Sequence, residues 1–176
     1  MDQAYENLLT RRSCRKYDEK KQVPEETLDK IILAGEYAPT GMGLQSPIIV
    51  ALTDPESVAE LEKLNSAAGG RPGGRPFYGA PTVLVVFGDP DSRFCLDDGN
   101  LVIGNLLNAA NALGVDSCYI WRARETFATA EGKALMARWG VPEKYVGVGN
   151  VILGYGLEGG KRPAAPRKAG YVIKVK

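Results

Sequence analysis

The segment from Thr10 to Asp18, TRRSCRKYD, gathers Arg11, Arg12, Arg15 and Lys16 within six positions, with Ser13 among them. Guanidinium groups grip phosphate oxygens bidentately and a neighbouring hydroxyl adds a neutral donor, so this segment reads as part of a site for a small anion. A second basic concentration, Lys161, Arg162, Arg167 and Lys168, lies in a Pro/Gly-rich stretch far along the chain. Should the fold bring both together, they form one dianion pocket; the alternative is two separate solvated faces. The formal net charge over 176 residues is only +1, so the clusters are local features. Generic nucleic-acid binders carry a broadly basic surface, and no nucleic-acid partner is expected here.

Other chemistry is narrowed by what is missing. The sequence has no histidine, which excludes Ser-His-Asp and Cys-His sites, H-E-x-x-H metal centres and histidine acid–base catalysis. Reactions must therefore use carboxylates, Lys, Tyr or Cys, or belong to a bound cofactor. Cys14, Cys95 and Cys118 are three, widely spaced and without a C-x-x-C, which points to a reducing compartment and no metal cluster. Cys14 between arginines is a conceivable nucleophile, but no general base accompanies it. Asp97 and Asp98 read as an acidic helix start rather than as metal ligands. The stretch GYGLEG (154–159) matches G-x-G-x-x-G after an expected strand, yet GKRPAAP follows, which cannot open the helix a dinucleotide fingerprint needs. In APTGMGLQSP (38–47), Gly41 and Gly43 would let backbone approach a planar ligand while Thr40 and Gln45 offer hydrogen bonds; otherwise it is an ordinary helix-to-strand connection.

The elements that must position these residues follow from periodicity and punctuation. Helices are expected at 4–10, from Pro24 to Pro39, at 55–68, at 97–114 with an Asp cap and Gly114 at C′, and at 129–140. Strands are expected at 47–54 (buried), 82–89, 116–121 and 146–156, with a last extended piece, YVIKVK. The duplicated GGRPGGRP (69–76) can only be a loop. The helix at 97–114 carries Gly104, Ala109, Ala110 and Ala112 among its leucines, so another helix can approach it closely, as at a subunit contact. This order indicates α+β: one central sheet flanked by helices, as a single domain over residues 1–176. No apolar run approaches the length of a membrane span, and the first residues carry no apolar leader-like run, so a soluble, cytoplasmic protein is expected.

Taken together, RRSCRKY (11–17), APTGMGLQSPIIV (38–50), PFYGAPTVLVV (76–86), LVIGNLLNAANALGVDSCYI (101–120), GKALMARWGVP with VILGYG (132–156) and APRK (165–168) resemble the nitroreductase family of flavin-dependent oxidoreductases. The resemblance covers essentially the whole chain. It implies a mostly antiparallel sheet flanked by helices, and a homodimer that builds FMN into its interface from both chains. It implies that Arg11, Ser13 and Arg15, helped by Arg12, hold the FMN phosphate, with Arg167 and Lys168 completing the grip. The loop holding Pro39, Thr40, Gly41, Gly43 and Gln45 would lie against the isoalloxazine ring. Ile120, Trp121, Gly154 and Tyr155 would make further flavin or ribityl contacts, and Phe77, Tyr78 and Trp121 would wall the substrate pocket. No side chain is expected to be catalytic in its own right, because flavin N5 carries the hydride from NADH or NADPH to the acceptor.

Relatives commonly have Asn where this chain has Gly43, and histidines where Asn111, Trp121 and Asn150 stand. Trp121 could stack on the ring or obstruct substrate. The leading reading is an NAD(P)H oxidoreductase acting on nitroaromatics, quinones or other conjugated acceptors. A flavin-dependent ene-reductase or dehalogenase of the same fold is an alternative enzyme. A flavin-binding protein with little turnover, or a redesigned scaffold of the family, is the alternative of a different class.

Overall fold

Strand β2 (Thr82–Gly88) is buried at every residue, and the rest of the chain is arranged around it. A computed structural model describes residues 2–176. In it β1 (Ile48–Leu52), β2, β4 (Val146–Gly154) and β3 (Asp116–Ile120) form one sheet in the order β1-β2-β4-β3, with every neighbouring pair antiparallel. The helices are α1 (Gln3–Thr10), α2 (Glu25–Glu36), α3 (Pro55–Ala68), α4 (Cys95–Ala112), α5 (Ala123–Phe127) and α6 (Ala130–Arg138). The unbroken apolar run of β2 is explained by helices on both faces. Val83, Val85 and Phe87 pack with Leu61, Phe127, Leu135 and Met136 on one side. Leu84 and Val86 pack with Ile31, Val102, Ile103 and Leu106 on the other. The expected α+β architecture is what the chain adopts.

Local chemistry sets the helix ends. Asp54 accepts the N–H of Ser57 at 2.8 Å and Pro55 occupies the first helical position, so α3 starts where the sequence says it must. Thr129 does the same for α6 through the Gly132 N–H at 3.0 Å. Gly114, at φ 71°, closes α4: its N–H donates to Asn111 and that of Val115 to Ala110.

Three expectations need correction. Strand β1 is an edge strand, with Ile48, Ile49 and Val50 half-buried and Ala51 exposed, because only β2 pairs with it. Helix α4 begins two residues earlier than its acids, and its first turn has no side-chain cap. The connection after β3 holds the short helix α5, which was not expected.

Residues 13–17 run as an extra edge beside β3. Ser13 bridges Ser117, Cys14 bridges Lys161 and Tyr17 bridges Gly156. The Cys14 N–H donates to Ser117 O at 3.0 Å, that of Arg15 to Gly160 O at 2.8 Å, and that of Leu157 to Lys16 O at 2.9 Å. The basic segment is thereby clamped between β3 and the loop that follows β4.

Tyr17 lies beneath this clamp, 3% exposed, and its hydroxyl has no hydrogen-bond partner among the described residues. Burial, aided by the nearby Cys14, Cys118 and Asp116, pushes its phenol above the ordinary range. With the folded value raised, Tyr17 adds no penalty below the unfolded value of about 10 and costs stability as pH climbs past it. Tyr17→Phe removes an unsatisfied hydroxyl. In urea melts it should leave stability at pH 7 unchanged or raise it by about 1 kcal/mol, and it should flatten the loss above about pH 10. A loss above about 1 kcal/mol at pH 7 would show that the hydroxyl is satisfied after all.

Candidate functional site

Helix α1 delivers the basic segment. The Arg12 guanidinium donates to Leu9 O at 2.8 Å and to Arg11 O at 2.7 Å, tying off the carbonyl end of α1. The buried Cys14 and Tyr17 turn inward to the core, leaving Arg15 exposed. Arg11, Arg12, Ser13 and Arg15 then line one cavity of about 490 Å³ together with Arg162 and Arg167 from the C-terminal loop. The two basic concentrations, far apart in sequence, meet. Among the described residues none of these five arginines pairs with a carboxylate. Five uncompensated guanidinium groups around one space suit a phosphate dianion.

Not every basic residue takes part. Lys161 is held by Asp116 at 2.7 Å, and Lys16 donates to Glu158 O at 3.3 Å. Lys168 lies outside the cavity lining, with its ammonium 5.7 Å from the centre of the Tyr171 ring. Asp116 went unnoticed at the sequence level. It accepts the Gly156 N–H at 2.8 Å as well as Lys161, and so pins the loop that carries Arg162 and Arg167. A lone Asp at a strand start carries no signal for this.

The loop with Thr40 and Gln45 lines a different cavity, of about 280 Å³, beside Ile32, Pro47 and Ile49. Met42 and Gln45 have φ of 57° and 50°, and Gly43 has 67°, so three left-handed residues shape this short turn. Gly41 does not open toward a ligand as expected: a Cβ there would sit 2.2 Å from the Phe94 ring, which fills that space. Beside Gly43 the space is open.

The loop is anchored by Asp98, 2% exposed, whose Oδ1 accepts the Gly41 N–H at 2.8 Å. The expected Asp cap of α4 is instead a tether between α4 and this turn. Asp98→Ala should cost about 1–3 kcal/mol and speed amide exchange at Gly41 and its neighbours. Unchanged exchange there would contradict the tether.

The remaining expected residues divide. Trp121 is 61% exposed and Tyr78 is also exposed, so both are available to a ligand. Phe77, at 1% exposure, is a core residue packed in the same cluster as Leu61 and Val85, and it cannot wall an open pocket. Gly154 is buried, with Pro81 and Tyr17 closing over it, and the carbonyl of Tyr155 accepts the Asp18 N–H. Across the β3–β4 pair, Gly154 of β4 faces Asp116 whereas Ile120 faces Asn150, so Gly154–Tyr155 and Ile120–Trp121 stand at opposite ends of the pair. Asn150, buried beneath, donates to Ile120 O at 3.1 Å. Within the chain the arginine cavity, the 39–45 loop and Trp121 are separate features. Among the described residues no three Cys, Asp or Glu side chains are grouped to hold a metal ion, and no helix is long and apolar enough to cross a membrane.

The sequence model of the nitroreductase family matches residues 8–155. A nitroreductase with bound FMN from Bacteroides fragilis NCTC 9343 is 30% identical, with 100% of each chain covered and a TM-score of 0.92. A nitroreductase with bound FMN from Desulfitobacterium hafniense DCB-2 is 25% identical over 100% of both chains, at 0.89. An FMN-dependent nitroreductase from Clostridium difficile R20291, 23% identical over 99% of each chain at 0.83, shares the fold. Curated protein sequences yield no match.

Proposed function

Because the chain belongs to the nitroreductase family, we propose that it is an FMN-dependent oxidoreductase, one domain over residues 1–176, that uses NADH or NADPH to reduce nitroaromatic, quinone or other conjugated acceptors. The observation that carries this reading is the cavity where Arg11, Ser13 and Arg15 meet Arg162 and Arg167, none of these arginines paired with a carboxylate among the described residues. FMN supplies two-electron transfer at its N5, alternately with donor and acceptor. Arg11, Arg15 and Arg167 hold its phosphate by charge-assisted hydrogen bonds, Ser13 adds a hydroxyl, and Arg12 keeps the end of α1 in place. Thr40 and Gln45, displayed by a turn pinned to Asp98, serve as ring contacts. Trp121 stands exposed as one wall for the second substrate. Three free, buried cysteines fit a reducing, cytoplasmic setting.

The test is direct. Purified protein should show the two-band absorption of bound oxidised flavin and should consume NADH or NADPH when given a nitroaromatic. Flavin uptake without consumption would favour the low-turnover reading that the exposed Trp121 suggests. A colourless protein that refuses FMN would end the oxidoreductase reading.

A homodimer unites the separated features. Tyr5, Leu8 and Leu9 of α1, Leu101 of α4, and Tyr171, Val172 and Ile173 of the tail are apolar and exposed. Gly104 lies on the same face of α4 as Leu101 and Asn108, and nothing lies within 4 Å of a Cβ built there. A large side chain at 104 therefore costs the protomer nothing but obstructs a partner. Gly104→Trp should elute as a monomer from a sizing column and lose FMN. A dimeric, flavin-loaded variant would place the contact elsewhere.

A further inference from the structure

Ser66, Arg71, Arg75, Tyr78 and Arg122 line a second cationic cavity, of about 250 Å³. Arg75 is compensated by Glu19 at 3.1 Å and Glu62 at 3.9 Å. Arg71 and Arg122 have no carboxylate partner among the described residues. Three positive charges against two negative leave a surplus of one, and both negative charges are spent on Arg75. Arg122 is the sharper anomaly, because its Nε is buried and lacks a hydrogen-bond partner among the described residues. A buried N–H without an acceptor is unfavourable, and the half-buried guanidinium that carries it faces the cavity with its charge unbalanced.

The surroundings hold this donor in place. A Cβ on Gly69 would fall 2.0 Å from Arg122 Nη1, so the guanidinium lies directly on glycine backbone. The Arg122 carbonyl accepts from Thr126 Oγ1 at 2.7 Å, and Asn65 Nδ2 donates to Trp121 O at 3.2 Å. The Gly/Pro-rich loop opposite is closed on itself, with the Arg71 N–H donating to Ser66 O at 3.1 Å and that of Gly74 to Arg71 O at 3.0 Å. Arg122 and Tyr78 both hold left-handed backbone, at φ 79° and 54°. Strain of this kind persists where the surroundings fix it, and it gathers at ligand sites.

This cavity is distinct from the first. Ser13 meets β3 at Ser117, whereas Arg122 follows the end of that strand. Three steps of extended strand, roughly 10 Å, separate Ser117 from the end of β3 at Ile120, and Arg122 lies beyond it. Trp121, the exposed aromatic next to Arg122, connects the cavity with the substrate wall of the proposed reaction.

We propose that Arg122 and Arg71 form a second anion site, which receives a phosphate or carboxylate group carried by one of the two substrates that meet the flavin. The proposal rests on the flavin reading for its substrate but not for its anion. The chemistry has two possible sources, the 2′-phosphate that separates NADPH from NADH or an acid group on the acceptor. The variants are Arg122→Gly, which suits the left-handed backbone, and Arg71→Ala on the exposed loop. Each is assayed as FMN-loaded protein with NADPH against NADH, and with 4-nitrobenzoate against nitrobenzene.

The expected result is a KM raised roughly tenfold or more for the charged member of one pair, the scale of a lost charge-assisted hydrogen bond. The uncharged member, kcat and FMN content stay unchanged, and the pair that responds names the source. Unmoved ratios in both pairs overturn the proposal. So does a loss of FMN that slows all substrates alike, since the arginines would then serve the flavin. If the unaltered protein takes up no FMN, the flavin reading falls alone. The anion site is then read by titrating inorganic pyrophosphate against tryptophan fluorescence: a saturable response lost in Arg122→Gly upholds the site, and one that survives overturns it.

Discussion

Exchanging Arg15 and Arg167 together for alanine lowers the affinity for FMN by about 100- to 20,000-fold. Each side chain is assigned one charge-assisted hydrogen bond to phosphate, with a net value of about 1.5–3 kcal/mol. Two such bonds sum to about 3–6 kcal/mol, and each 1.4 kcal/mol is a factor of about ten. Both residues line one cavity from opposite ends of the chain, so their effects on a shared phosphate should couple rather than add strictly. Quenching of FMN fluorescence on binding measures the loss. Lys168→Ala is the informative control. The family resemblance places Lys168 in the grip, but the structure leaves it off the cavity wall, so its loss should shift affinity by no more than about twofold, as for a screened surface charge. Unaltered affinity in the double variant would sever the flavin assignment from this cavity.

The residues that made the fold legible are those whose role is local. Asp54 and Thr129 accept N–H groups of their own first turns and Pro55 has no N–H to leave unsatisfied, so α3 and the start of α6 are readable from a few letters. The β2 run is readable because burial on both faces leaves no polar position after Thr82 at its start. What could not be read depends on distant partners. Asp98 looks like a helix cap, but its acceptor is used by Gly41, 57 positions away. Gly41 looks like room for a ligand, and the Phe94 ring already occupies that room. Phe77 looks like an exposed aromatic in a loop, but the turn drops it into the core. Helix α5 has five residues, no side-chain cap and a left-handed Arg122 at its entrance, so neither period nor punctuation announces it. The meeting of Arg11 and Arg15 with Arg162 and Arg167 was open on composition alone. The extra edge beside β3 and the Asp116 staple decide it, and neither has a signature at the level of residue spacing.

The other large effect lies at the seam between α5 and β4. Phe127 is buried, its ring 4.7 Å from Phe87 at 59° and 5.8 Å from Trp139 at 66°. The backbone of β4 comes unusually near: a Cβ on Gly147 would be 2.5 Å from Ala123 O and 2.9 Å from the Phe127 ring. The close approach coincides with an irregularity where Val86 faces Gly149 but Phe87 faces Gly147, leaving Val148 as an extra residue. Phe127→Ala removes the side chain that fills this seam and should cost about 3–5 kcal/mol, about a fifth or more of an ordinary domain's stability of about 5–15 kcal/mol. Urea melts at a fixed protein concentration measure it. The damage should be lopsided. Helix α5 carries Arg122 at its entrance, so the second cavity should weaken while the protein still folds, whereas the arginine cavity at the Ser117 end, clamped through Asp116, should keep its affinity for FMN within about threefold, since sites this far apart with no shared partner respond almost independently. Equal loss at both cavities would mean that the sheet transmits the defect along its length, and that the two anion sites are one cooperative unit.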